Sequence, residues 1–341
     1  MTAHADELHQ RATIVNGLVG SMSAPRTAAA GFTLPQAMRA GGVTAANLTI
    51  TLSDGFQTTC TTIAHLLRAI EGQEGVRLVR TAADIVAAKA EDGAGIIIGF
   101  QNSDPFEGNL ALVDVLARLG LRICQLTYQR RNLAADGAGE PANAGLSLFG
   151  RELVAALNRN GVLIDLSHTG SRSTLETIEL SEAPVAVTHA CLQRFNPVPR
   201  NKSDEEIKAL AARGGVFGMN AIARLLSPTG GQEGATIAQF VDQIDYLVEL
   251  VGVDHVGLGL DISEGLTPEL FEKRRKGFLT DFPELRMGGD FPYEHYYVFG
   301  LQSIASMRLI TETLVERAYG DEDVLKILGG NFLRLFGEVW R

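Results

Sequence analysis

Eight short runs rich in Val, Ile and Leu recur along the chain, at 13–18 (TIVNGL), 43–51 (VTAANLTIT), 95–100 (GIIIGF), 121–127 (LRICQLT), 162–166 (VLIDL), 185–188 (VAVT), 215–219 (GVFGM) and 256–260 (VGLGL); a minor one lies at 76–79. Helical patterns fill the gaps, at 57–70, 82–90, 109–119, 149–160, 171–181, 203–213 and 236–251, and two more follow at 301–319 and 322–335. Strands that are apolar on both faces and separated by helices are parallel and covered on both sides. Eight such units predict a (β/α)₈ barrel of the TIM type, which takes roughly 250 residues before insertions. A doubly wound open sheet is the alternative. No GxGxxG follows the first run, so its dinucleotide-binding form has no support.

The whole of 1–341 reads as one barrel domain, since no low-complexity linker interrupts the rhythm. Two stretches break the pattern. Residues 20–35 are punctuated by Gly, Pro and Ser. Residues 262–300 form a long insertion after the last strand, rich in aromatic and charged residues. An insertion there belongs to the C-terminal face of a barrel, where active-site loops gather. Residues 18–25 and 262–300 are expected to decide the substrate.

The net charge of −10, with no Lys/Arg-rich stripe, excludes nucleic acid as a partner. No apolar run reaches the ~18 residues a membrane helix needs, and the first residues lack a signal-peptide pattern. Cys60, Cys124 and Cys191 lie far apart, which fits a reducing compartment. The expected location is cytoplasmic.

The strand ends carry the chemistry. His168 ends the run GVLIDL and His189 ends APVAVT, so consecutive strands deliver one imidazole each to the same end of the barrel. Two neutral imidazoles aimed at one spot suit a divalent ion such as zinc; the bland alternative is two satisfied core histidines. Asp261, at the end of VGLGL, is placed for general-base work or metal contact, or as an ordinary helix N-cap. Arg200 precedes Ser203, an N-cap with Glu206 as capping-box partner. Its guanidinium suits a substrate carboxylate, or a structural role. The third and fourth strands end in Gln101 and Tyr128. His295, among Tyr293, Tyr296 and Tyr297, lies in the insertion and is placed to reach over a pocket, or is a structural residue of it. His65 and His255 read as structural or surface residues, and His4 and His9 as part of a mobile terminus.

The stretches GLSLFGRELVAALNRNGVLIDLSHTG, APVAVTHACLQRFNPVPRNKSDEEIKALAARGGVFGMN, VGVDHVGLGLD and ILGGNFLRLF resemble the renal (membrane) dipeptidase family, the M19 metallopeptidases. The resemblance runs from about residue 12 to 337. It implies a metal-dependent-hydrolase-like barrel, a homodimer, and hydrolysis of dipeptides by two zinc ions bridged by a glutamate. By the resemblance, His168 and His189 correspond to ligands of the second zinc. Arg200 corresponds to the carboxylate-gripping arginine, and Asp261 to the aspartate that handles protons at the nucleophilic water.

The remaining motif positions differ. The family's first-zinc His-x-Asp pair is replaced by Leu18 and Gly20, the bridging glutamate by Gln101, and the histidine that stabilises the tetrahedral intermediate by Tyr128. The reading is therefore a dipeptidase-like hydrolase of an amide or related C–N bond in a small carboxylated substrate. Asp261 and Tyr128 are its catalytic candidates; Arg200, Tyr128 and His295 its substrate-binding candidates. It uses one zinc or other divalent ion on His168, His189 and Gln101, or none. The alternatives are an isomerase or lyase on the same barrel, and a catalytically silent binding protein.

Overall fold

Every one of the eight apolar runs is a strand. The computed structural model describes residues 3–20, 33–281 and 291–340; the side chains of 274 and 277–281 lie outside the description. The strands are β1 (Ile14–Val19), β2 (Val43–Thr51), β3 (Val76–Leu78), β4 (Ala94–Phe100), β5 (Leu121–Gln125), β6 (Leu163–Asp165), β7 (Ala186–Ala190), β8 (Val216–Met219) and β9 (Val256–Leu258). All pairings between them are parallel. The closed order is β1-β2-β4-β5-β6-β7-β8-β9, with β9 returning to β1. The minor run became β3, which stands outside this ring. It pairs with β4 from Ala94 to Ile96, and β5 takes over that edge from Ile98 onward.

Burial on both faces follows from what fills the two ends. One residue from each of seven strands, Val15, Ala45, Ile97, Ile123, Leu163, Ala186 and Val216, meets Phe332, Phe336 and Trp340 in one apolar cluster. The eighth strand supplies Gly257, where a Cβ would fall 2.7 Å from the Phe332 ring. The helix Asn331–Val339 thus plugs the N-terminal mouth with its apolar stripe, and the Trp340 indole N–H bonds the Arg122 carbonyl at 3.1 Å. Chemistry is left to the opposite mouth. Toward that mouth β7 leans across the barrel. A Cβ on Gly218 or Gly259 would come within 2.0 or 1.7 Å of the Thr188 carbonyl oxygen. Only glycine permits that approach.

The helices keep the expected places, and the capping box of Ser203 and Glu206 opens Asp204–Ala212. Three readings need correction. The N-terminal segment is a helix, Ala3–Arg11, and His9 is buried. Its Nδ1 meets the Thr311 hydroxyl at 2.7 Å and its Nε2 the Gly41 carbonyl at 3.0 Å. A polar residue paired on both nitrogens is stable inside, although its sequence context reads as terminus. The expected helix 301–319 is a 3-10 turn, Ile304–Ser306, followed by Arg308–Glu316; that at 322–335 is broken by a π turn at Lys326–Gly330. The insertion is not all loop. It holds a helix, Pro268–Asp281, pinned by Phe271 against Phe291, Tyr293 and Tyr296 at ring separations of 5.7, 5.6 and 5.0 Å. Residues 282–290 of the insertion, and 21–25 of the other stretch expected to decide the substrate, lie outside the described residues. Among the described residues no helix is long and apolar enough to cross a membrane.

Candidate active site

His168 follows the end of β6 and His189 lies in β7, and their Nε2 atoms are 3.1 Å apart. His189 is fully buried and His168 nearly so. Burial, then the neighbouring Arg200 guanidinium, pushes both imidazoles well below their ordinary value, and both are neutral at pH 7. The His189 Nδ1 to Asp165 Oδ2 distance of 3.8 Å is therefore not an ion pair.

Asp165, which sequence reasoning passed over, is the hub beneath them. Its Oδ1 accepts from the Ser167 amide (3.0 Å), the Ser167 hydroxyl (2.5 Å) and the Thr188 amide (2.9 Å). Its Oδ2 accepts from the Thr188 hydroxyl (2.6 Å) and Gln125 Nε2 (2.8 Å). Three adjacent strands, β5, β6 and β7, are tied at one carboxylate that is 1% exposed. The signal was available: an acid inside the run VLIDL must be paired if that run is buried.

Arg200 is 2% exposed and lies against the histidine pair. Its Nη1 donates to the Ser167 carbonyl and its Nη2 to the His189 carbonyl at 2.7 Å, and Nη2 lies 3.2 Å from His168 Nε2. Two of its five N–H groups are engaged by the two carbonyls. Burial lowers the guanidinium below its ordinary value, and the carboxylates of Asp261 and Asp165 oppose that shift. Two residues on, Lys202 is also buried. It donates to the Thr169 carbonyl (2.7 Å), the Thr174 hydroxyl (2.9 Å) and Glu206 (3.1 Å), fastening the Arg200 loop to the chain beyond His168. Tyr128 is half-buried with its ring 4.3 Å from that of His168.

His168, His189, Arg200 and Tyr128 thus form one contact set. Asp261 stands at its edge. It has a left-handed backbone (φ 57°), its amide bonds the Leu18 carbonyl at 3.1 Å, and its Oδ2 accepts from Asn220 Nδ2 at 3.3 Å. Gln101 turns its amide Nε2 to the Thr49 hydroxyl at 2.7 Å. His295 is half-buried on the insertion, 5.6 Å from the Phe299 ring, and among the described residues no ring contact or hydrogen bond joins it to the histidine pair. Leu18 is buried, and a Cβ on Gly20 would meet the Ser263 hydroxyl at 2.2 Å. Among the described residues, no group of three or more His, Cys, Asp and Glu is gathered to hold a metal ion. Two imidazole nitrogens are the donors on offer.

The profile of the membrane dipeptidases, peptidase family M19, matches residues 5–276. Dipeptidase verJ of Clonostachys rogersoniana is 26% identical over 264 residues, which cover 77% of this chain and 60% of that protein. Dipeptidase aclJ of Aspergillus oryzae is 26% identical over 245 residues, 71% of this chain and 51% of its own length. The chain therefore spans between half and three-fifths of these two relatives. Among solved structures, an amidohydrolase from Pseudomonas aeruginosa matches with a TM-score of 0.87 and 34% identity, over 98% of this chain and 99% of that one. A metallopeptidase from Rhodobacter sphaeroides, liganded with a phosphinate mimic of L-Ala-D-Ala, matches with a TM-score of 0.80 over 96% and 99% of the two chains. At 19% identity that likeness shows the fold alone.

Proposed function

The chain belongs to the membrane dipeptidase family, peptidase family M19, and on that premise we propose that it hydrolyses an amide or related C–N bond in a small carboxylated substrate, with at most one divalent metal. The observation that carries this is the 3.1 Å separation of the two imidazole Nε2 atoms at neighbouring strand ends. Two nitrogens bound at ~2.05 Å to one tetrahedral ion stand about 3.3 Å apart. The pair fits one edge of such a site.

The other half of a two-metal centre lacks this support. Leu18 offers no donor, Gly20 has no side chain, and Gln101 offers a neutral amide in place of a bridging carboxylate. One ion on His168 and His189, with Gln101 as a further candidate ligand, would supply Lewis-acid polarisation and an activated water. The chain's own groups do the rest. Asp261 takes the proton of the attacking water, and the Tyr128 hydroxyl donates to the developing oxyanion. Arg200 holds the substrate carboxylate with its remaining N–H groups, and His295 closes the site from the insertion. We read 1–341 as one barrel domain with 262–300 over the C-terminal mouth. The bridges Val19↔Ile262 and Ile222↔Tyr297 support that placement. The free cysteines support a cytoplasmic setting, and the family resemblance supports a homodimer.

A second reading, a silent binding protein, is favoured by one contact. Arg200 Nη2 at 3.2 Å from His168 Nε2 puts a fixed cation beside the proposed metal position.

Metal content of protein purified without added metal, followed by a panel of dipeptides and N-acyl amino acids with and without zinc, tests the proposal. Up to about one ion per chain and two products per turnover are expected, with turnover lost in His189→Ala. More than about one zinc per chain overturns the metal assignment. A single product overturns hydrolysis in favour of an isomerase or lyase. Tight carboxylate binding without turnover under any metal favours the binding protein.

A further inference from the structure

We infer that Asp165, acting through the Thr188 hydroxyl, is the positioning residue that holds His189 in its Nδ1–H tautomer and keeps its Nε2 lone pair turned toward His168. The inference deepens the proposed function, because a metal-holding His189 needs that lone pair. Its own evidence is a chain of hydrogen bonds made by the protein's own groups.

The Thr188 Oγ1 atom lies 2.6 Å from Asp165 Oδ2 and 2.8 Å from His189 Nδ1. A hydroxyl has one proton to give. Two oxygens 2.6 Å apart with no proton between them repel, so the proton goes to Asp165. The threonine oxygen then presents a lone pair to His189, and Nδ1 must carry hydrogen. A neutral imidazole has one N–H, which leaves Nε2 bare.

Asp165 cannot turn away from this task. Its two oxygens are held by four further donors, from Ser167 N, Ser167 Oγ, Thr188 N and Gln125 Nε2. The same Ser167 hydroxyl accepts from the His189 amide at 3.0 Å, so the backbone of His189 is located by this network as well. His168 has no such control. Its Nδ1 is buried without a hydrogen-bond partner among the described residues. The pair is asymmetric: His189 is dictated from below, and with its Nε2 bare the hydrogen in the 3.1 Å contact between the two Nε2 atoms is carried by His168, whose Nδ1 is then the bare nitrogen.

The full chain, labelled with ¹⁵N-histidine and treated with chelator, tests this by long-range ¹H–¹⁵N correlation near neutral pH, with His189→Asn giving the assignment. Wild-type His189 is expected as a single tautomer protonated at Nδ1. Thr188→Val, which removes only the hydroxyl's hydrogen bonding at nearly constant size, should admit the Nε2–H form, and Thr188→Ser should restore the wild-type signature. Asp165→Asn should invert the chain, since an amide N–H facing Thr188 sends the hydroxyl proton to His189; should that variant fail to fold, the two Thr188 variants decide. Zinc affinity of Thr188→Val should fall about 10- to 100-fold, as for other groups that orient a metal-bound histidine. A wild-type His189 protonated at Nε2, or a tautomer unmoved by Thr188→Val, overturns the inference. A wild-type protein that binds no zinc and turns over nothing, yet keeps His189 protonated at Nδ1, overturns the proposed function and leaves this inference standing.

Discussion

Gly20 lies so close to Ser263 that a Cβ on it would stand 2.2 Å from the serine hydroxyl oxygen. The Gly20 amide also bonds the Ile262 carbonyl at 3.0 Å, so the two segments are fastened where β1 ends. A side chain at 20 can enter only if Ser263 moves. Gly20→Asp is therefore expected to destabilise the protein by about 1 kcal/mol, the low end of overpacking, since the Ser263 hydroxyl is what has to turn aside. It should add no second metal, even combined with Leu18→His. Ser263→Gly in the same background should recover a part of that loss, because the two positions share one space. Urea midpoints for the four members of the cycle, with metal analysis of each, check this. Additive effects of the two substitutions would remove the steric account.

Arg200 joins two segments that would otherwise expose buried carbonyls. Arg200→Ala leaves the Ser167 and His189 oxygens without their donor, at about 1–3 kcal/mol each. The expected total is roughly 2–6 kcal/mol. Arg200→Lys keeps a charge without the planar fork and should stay folded with weaker carboxylate binding. Calorimetric titration with N-acetyl amino acids on the folded variants reads the second effect. Unchanged affinity would take the carboxylate-holding role from Arg200 and leave it a purely structural one.

The barrel was legible because fully buried parallel strands leave uninterrupted apolar runs, which few other arrangements require. The two histidines were legible for the same reason, since a polar tip on such a run marks the strand's end. Asp165 was not read, because Gln125 and Thr188 sit on the two neighbouring strands and only the closed sheet brings them to it, with Ser167 just beyond its own strand. The burial of Arg200 and Lys202 was equally hidden: both stand in a polar, proline-rich loop, and nothing local says that it folds inward. The N-terminal helix was missed because the signal for it is a tertiary contact, His9 with Thr311, across most of the chain.

Lys202 and Glu206 form a buried ion pair at 3.1 Å, four residues apart, with side chains 1% and 2% exposed. Burial lowers the Lys202 ammonium below its ordinary value, opposed by Glu206. The Glu206 carboxyl is also held low, by Lys202 and the Ser203 amide against the cost of burial. Removing one partner strands the other. Lys202→Met and Glu206→Gln should each cost about 3–5 kcal/mol. The double variant should cost clearly less than the sum, though not nothing, because Lys202 also serves Thr169 and Thr174 and Glu206 also caps its helix. Chemical denaturation of the three variants measures the coupling. Simple additivity would show that the helix cap and the Thr169 contact, rather than the pair, hold this loop.

His168, His189 and His9 are all held below the ordinary imidazole value of 6.5, in each case first by burial. The unfolded chain takes up a proton at each as the pH falls past about 6.5, and the native chain does not. The unfolded state then binds more protons, so stability is fully present above that pH and is lost as the pH falls below it. Each histidine contributes a slope of up to about 1.4 kcal/mol per pH unit until its own native value is reached. Urea midpoints should be nearly flat between pH 8 and 7 and fall steeply from 6.5 to 5.5. The double variant His168→Gln, His189→Gln should retain only the shallower slope from His9. A midpoint that holds level or rises from pH 7 to 5.5 would mean that the paired imidazoles accept protons in the native state, and would take neutral histidines out of the site.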